Sequence, residues 1–202
     1  MAHRAPAPLP LATAGLVATN VAVFAAERAG DGLAMCQRFG FVPARPTLGS
    51  ALTCVFLHDP TTVAHVAGNL LALALFGFIV ERALGNARFA LLYGLGGIGA
   101  AAFHVLAYPG SDVPEVGASG PIFAVMAAAA MLRPRLVGFV AVYAGWNVWQ
   151  TVTGSAGQVA TAAHLGGFTT GALMMGTVFS RQLAAVRGWR RPPRVAREVA
   201  AG

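Results

Sequence analysis

Residues 63–80 read VAHVAGNLLALALFGFIV, an apolar run whose one ionisable side chain is His65, near its start. Crossing about 30 Å of hydrocarbon takes roughly 20 helical residues, so this run predicts a membrane-spanning helix. Working outward from it, five comparable runs appear at 9–26, 89–108, 119–132, 136–152 and 160–179. A weaker apolar stretch at 51–57 is too short to span. The expected fold is an all-α membrane protein. Six transmembrane helices form one bundle over residues 1–180, and a basic, solvated, flexible tail occupies 181–202.

Composition supports this. Of 202 residues, 56% are hydrophobic and only 10% charged, against about 25% charged in ordinary soluble domains. So few charges cannot cover a soluble globule of this size, and lipid is the surface that fits the excess of apolar side chains.

The formal charge of +7 comes from arginine, with no lysine in the chain. A basic balance suits nucleic acid, but these arginines sit between and after the apolar runs, where topology and lipid headgroups explain them. No nucleic-acid partner is expected. With a cytoplasmic N-terminus, the inner side holds Arg4, Arg82, Arg88, Arg133, Arg135, Arg181, Arg187, Arg190, Arg191, Arg194 and Arg197. The outer side holds Arg28, Arg38 and Arg45, a division of eleven to three that the positive-inside rule favours. The chain therefore reads as a multi-pass protein of the plasma (inner) membrane with both termini cytoplasmic. Arg4, the first run and Ala25-Ala26 also fit a signal peptide, but a run of about 18 residues is longer than the usual signal core. Cys36 and Cys54 form no metal spacing, and a disulfide between them stays open.

In this topology the second, fourth and sixth spans all enter from the outside, each with polar residues in its first turns. His65 and Asn69 open the second, Ser119 opens the fourth, and His164 lies one turn into the sixth. A serine needs a base to become a good nucleophile, an imidazole serves at neutral pH, and the attacked carbonyl needs donors for its developing charge. Ser119, His164 and the pair His65/Asn69 supply these three functions. The i, i+4 spacing puts His65 and Asn69 on one helix face. No carboxylate stands out as a third partner, which leaves a Ser–His dyad.

Ser119 lies in Gly117-Ala118-Ser119-Gly120-Pro121. Alone, this reads as a helix N-cap with proline in the first turn, a reading compatible with a nucleophile at a helix start. The 14-residue fourth span reaches about 21 Å at 1.5 Å per residue, which sets Ser119 below the outer boundary and calls for a water-filled cavity. His164 precedes Gly167 and Gly171, a Gly-x-x-x-Gly face whose expected partner is the Ser119 helix.

His65-x-x-x-Asn69, Gly117-Ala118-Ser119-Gly120 and Ala163-His164-x-x-Gly167, in this order and on these helices, resemble the signature of the rhomboid intramembrane proteases. Val80-Glu81-Arg82-Ala83-Leu84-Gly85 resembles the family's turn after its second helix. The similarity runs from about Phe56 to Gly176. It implies a serine endopeptidase with Ser119 as nucleophile and His164 as general base. His65 and Asn69 would be oxyanion-hole donors, with the Ser119 backbone N–H. It also implies Phe123 as the aromatic packed on the base, and Glu81 as a brace at the cytoplasmic end. Gly117, Gly120 and Gly167 would support the site. Substrates would be membrane proteins with a transmembrane segment, cut near the outer boundary, with no metal or organic cofactor. The Trp-Arg pair that many members carry in the first outer loop does not occur between Arg28 and Thr62.

Other readings compete. A non-catalytic relative would bind transmembrane helices through the same bundle. A transporter or channel would want polar residues deeper in the spans. Asn20, His104, Asn147 and Gln150 read as interhelical hydrogen-bonding residues. A zinc site built from His65, His104 and His164 lacks a carboxylate or cysteine to complete it.

Overall fold

The computed structural model describes residues 9–153 and 160–188. Helices occupy all six apolar runs: α1 (Leu11–Ala29), α4 (Val63–Leu84), α5 (Asn86–Ala107), α6 (Ser119–Leu132), α7 (Val137–Val152) and α8 (Ala160–Gly176). Short helices α2 (Gly32–Phe39) and α3 (Leu48–Thr53) lie in the connection after α1, and α9 (Ser180–Gly188) follows α8. Of these, α4 and α5 are long and apolar enough to cross a membrane, with mean hydropathies of 2.1 and 1.7. The described residues contain no strand, only an isolated antiparallel bridge between Phe41 and Glu115.

Helix α6 is the centre. Every residue from Gly120 to Ala130 is buried, mostly against α5 and α8. A helix that is apolar all round belongs inside a bundle. The outer faces are apolar too: Leu71, Leu106, Val142 and Leu173 are 72%, 79%, 75% and 62% exposed. A surface of this kind suits lipid rather than water.

Small residues set the spacing. The backbone of Gly167 lies against the Gly120 carbonyl, and that of Gly171 against the Ala124 carbonyl. The expected Gly-x-x-x-Gly face therefore does pack on the Ser119 helix. On the α5 side, a methyl at Gly96 would fall 2.5 Å from Ala124 Cβ, and one at Gly120 2.6 Å from Ala100 Cβ.

Glu81, fully buried near the end of α4, fills the role of a brace. Its Oε1 accepts from the Ala12 N–H (2.7 Å), and its Oε2 from the Thr13 N–H (2.7 Å) and hydroxyl (2.5 Å). Helix starts carry unpaired N–H donors, and Pro10 offers no side chain to cap them. A carboxylate from another helix takes that part, with the sign the helix dipole favours.

The connection between α5 and α6 is stitched to the one after α1. Phe41 and Glu115 exchange both backbone hydrogen bonds (3.0 and 2.8 Å), Ala44 N–H donates to Ser111 O, and Gly117 N–H donates to Cys54 O (3.0 Å). Thr47 and Thr62 cap α3 and α4 through their hydroxyls. Cys36 and Cys54 are both buried and free, so the disulfide left open by the sequence is not formed.

Where a solvated tail was expected from Arg181, the chain is helical to Gly188. Residues Arg181 to Gly188 belong to α9, because Leu183 is buried and Arg187 Nε donates to the Met131 carbonyl (3.1 Å). The remainder of the tail, with Arg190, Arg191, Arg194 and Arg197, lies outside the described residues, as does Arg4.

Two tests follow from this packing. An added methyl at Gly167 meets backbone that cannot rotate away, so Gly167→Ala should destabilise by about 1–3 kcal/mol. Gly94 of α5 has open space around its Cα, so Gly94→Ala should be neutral or stabilising. Unfolding of both variants in the same detergent gives the comparison. The second test concerns Glu115, whose side chain is 14% exposed with His104 Nδ1 3.8 Å away. Burial pushes its carboxyl up to about 7. A carboxyl raised in the folded state favours folding while protonated. That contribution is fully present below about pH 4.5 and is lost as pH rises to about 7. Relative to Glu115→Gln, the native chain should lose roughly 3 kcal/mol of stability across that window.

Candidate active site

Three helix starts meet at one end of the bundle. The first is α4, opened by Thr62, whose hydroxyl accepts from the Ala64 N–H (3.2 Å). It carries His65, half-buried, and Asn69, buried one turn later. Asn69 Nδ2 donates to the His65 carbonyl (2.9 Å). This bond fixes the amide against its own helix and uses one of its two N–H donors.

The second is α6, reached through Gly117. Its φ of +126° suits glycine alone among ordinary residues. The space around it is equally restrictive. A methyl at Gly117 would stand 3.0 Å from His65 Nε2 and 3.7 Å from Ser119 Oγ. The imidazole edge and the hydroxyl therefore flank one point, which only a residue without Cβ leaves open. Ser119 itself is half-buried.

The third is α8, which carries His164 at 8% exposure. The ring of Phe123 stacks on the His164 ring, centroids 4.2 Å apart and planes 10° from parallel. Phe123 lies one turn after Ser119. Three residues after His164, Gly167 rests on the carbonyl of Gly120, the residue after Ser119. Ser119 and His164 thus stand on adjoining turns of two helices in backbone contact. His65, Gly117 and Ser119 share one set of contacts, Gly120, Gly167, Phe123 and His164 adjoin it along α6, and Asn69 is tied to His65.

His65 is held from behind. Its Nδ1 accepts from the Asp59 N–H (3.2 Å), and the buried His58 ring meets it edge-on at 5.2 Å. Burial pushes the His58 imidazole down to about 4, so it stays neutral near pH 7. The Asp59 carboxylate accepts from the Thr61 N–H (2.8 Å) and hydroxyl (2.6 Å), closing the turn into α4. Those two bonds hold Asp59 below the usual carboxylate range.

Sequence reasoning passed over several participants. Tyr143 of α7 also stacks on Phe123 (5.6 Å, 29°), and nothing in the periodicity of its run marked it. Glu115 stands beside His104, a carboxylate that the sequence did not bring to that histidine. Glu27, buried at the end of α1, accepts from the His58 N–H. A lone acid at the end of an apolar run was the available signal. Asn20, expected to bond between helices, is buried with its amide donating to the Leu16 carbonyl of its own helix (2.8 Å) and its side chain at the Tyr93 hydroxyl of α5. The side chains of Asn147 and Gln150 lie outside the described residues. Among the described residues, no three His, Cys, Asp or Glu side chains converge in a way that would hold a metal ion.

The cluster has parts for acyl transfer: a hydroxyl, imidazoles, an amide and the start of a helix, whose first N–H groups have no intrahelical acceptor. Comparison with known proteins agrees with its motifs. The family model described as the Rhomboid domain matches residues 46–181. RHOMBOID-like protein 1 of Arabidopsis thaliana is 33% identical over 136 residues, which cover 63% of this chain and 33% of that protein. The chain thus spans about a third of the length of that relative. The family match contains α4, α6 and α8 with every residue of the cluster, and the chain belongs to the rhomboid family.

Proposed function

We propose that this protein is an intramembrane serine endopeptidase that cuts membrane proteins within or beside a transmembrane segment. The observation that carries the reading is the approach of both His65 Nε2 and Ser119 Oγ to Gly117, with His164 stacked on Phe123, one turn along the Ser119 helix. Helices α1, α4, α5, α6, α7 and α8 form a six-span bundle with both termini cytoplasmic, in the plasma (inner) membrane. The arginine distribution supports that orientation, and the apolar outer faces support lipid contact.

Ser119 is the nucleophile and His164 its general base. Ser119 Oγ attacks the scissile carbonyl carbon while its proton passes to the imidazole. The resulting oxyanion takes hydrogen bonds from His65 Nε2–H, the second N–H of Asn69 and the Ser119 backbone N–H. Collapse expels the amine, which takes the proton from His164, and leaves an acyl-Ser119 ester. Water, deprotonated by His164, hydrolyses the ester and regenerates the serine. Phe123 holds the base by packing, a role a carboxylate plays in soluble triads. No cofactor enters this scheme.

The test is cleavage of a labelled transmembrane substrate by the purified protein in liposomes. Ser119→Ala and His164→Ala should each lower turnover by about 10³-fold or more. His65→Ala and Asn69→Ala should lower it by about 10–10³-fold with little change in KM. Undiminished cleavage by the Ser119 and His164 variants would sink the mechanism. Binding of the substrate without cleavage by the native chain would favour a non-catalytic helix-binding protein.

A further inference from the structure

His65 can stabilise an oxyanion only if the nitrogen facing the site carries a proton. A neutral imidazole has one N–H, and the nitrogen that accepts a hydrogen bond is the bare one. His65 Nδ1 accepts from the Asp59 N–H. The proton therefore sits on Nε2, the atom beside Gly117 and on the same side as Ser119 Oγ. The geometry of one backbone N–H selects the useful tautomer.

That N–H belongs to a loop with no regular structure of its own, between the turn Cys54–Phe56 and α4. Its anchor comes from α1. The Glu27 carboxylate, 1% exposed, straddles the His58 N–H with Oε1 at 3.0 Å and Oε2 at 3.3 Å. Cys36 of α2 closes the arrangement, its thiol 3.7 Å from Glu27 Oε1 and 3.4 Å from the His58 carbonyl. Both peptides of His58 are thus gripped: the one before it at its N–H by Glu27, and the one after it, which carries the Asp59 N–H, at its C=O by Cys36. The His58 ring, buried edge-on between Phe24 (6.4 Å) and His65 (5.2 Å), packs the same residue between α1 and α4.

We propose that Glu27 is a positioning residue of the oxyanion hole: by anchoring the His58 N–H it fixes the backbone whose next N–H, that of Asp59, holds His65 as its Nε2–H tautomer. Glu27 touches neither Ser119 nor His164 and takes no proton in the reaction. Its place is one shell behind a proton donor, where fixing a ring's tautomer and orientation is worth about 10–100-fold in comparable metal sites. The inference rests on the reading of His65 as an oxyanion donor, but its first test does not require activity.

The experiment is ¹⁵N NMR of histidine-labelled protein in detergent at neutral pH, with the His65 ring assigned by its loss in His65→Phe. Native protein should show a protonated Nε2 and a bare, hydrogen-bonded Nδ1. A protonated Nδ1 in the native protein would overturn the proposal without any Glu27 variant. Glu27→Ala should then show mixed tautomers at His65. With it, kcat on the transmembrane substrate should fall about tenfold at little cost in KM. Glu27→Gln, which keeps a carbonyl acceptor for the His58 N–H, should restore most of the lost turnover and the single tautomer. A native tautomer in Glu27→Ala, with or without loss of turnover, would overturn it. Loss of the tautomer with full cleavage retained would leave Glu27 as an anchor and instead remove His65 from the oxyanion hole.

Discussion

The backbone of Gly167 rests on the carbonyl of Gly120, and the remainder of the site is arranged around that contact. It brings α8 against α6 without any side chain between them. In lipid, helices gain little from hiding apolar surface from one another, and close backbone packing supplies much of the attraction. The same contact places the proposed pair, because Ser119 precedes Gly120 by one residue and His164 precedes Gly167 by three. Gly171 on Ala124 continues the seam one turn deeper. A larger residue anywhere on this line would separate the two helices and with them the serine and the histidine.

Around that seam, buried carboxylates tie backbone to backbone. Glu81 takes the first N–H groups of α1, and Glu27, at the other end of α1, takes the N–H of His58. One helix is thereby held at both ends by acceptors that point at peptide groups. A buried carboxylate with strong N–H partners is far less costly than one without. The first loop, which has no Trp-Arg pair between Arg28 and Thr62, is tied down in other ways. Its support comes instead from the Glu27 grip, the Phe41–Glu115 bridge and the Gly117–Cys54 bond.

The fold was largely legible because lipid imposes a simple rule on length and polarity. Each of the six apolar runs is helical, and boundary shifts are a few residues. Ser119, His164, His65 and Asn69 stood out in the sequence because polar residues are rare in apolar helices, and the contacts at Gly117 and Gly120 bring their three helices together. The packing of Gly167 and Gly171 on α6 followed from their spacing. What the sequence did not reveal are contacts between segments far apart in the chain. Glu115 beside His104, Tyr143 against Phe123 and Glu27 on His58 join elements whose rotation about their axes periodicity does not determine. The start of the tail was misjudged for a related reason. A single buried leucine, Leu183, and one arginine bond to Met131 hold against the bundle a segment that composition alone marks as solvated.

The central claim is that Ser119 is an activated nucleophile rather than a helix cap. Covalent labelling by a fluorophosphonate, with the adduct located by peptide mass spectrometry, tests it most directly and needs no substrate. The account predicts stoichiometric phosphonylation at Ser119, slowed by orders of magnitude in His164→Ala, in which the base is absent. An unlabelled Ser119 in folded protein, or labelling equally fast without His164, would contradict it.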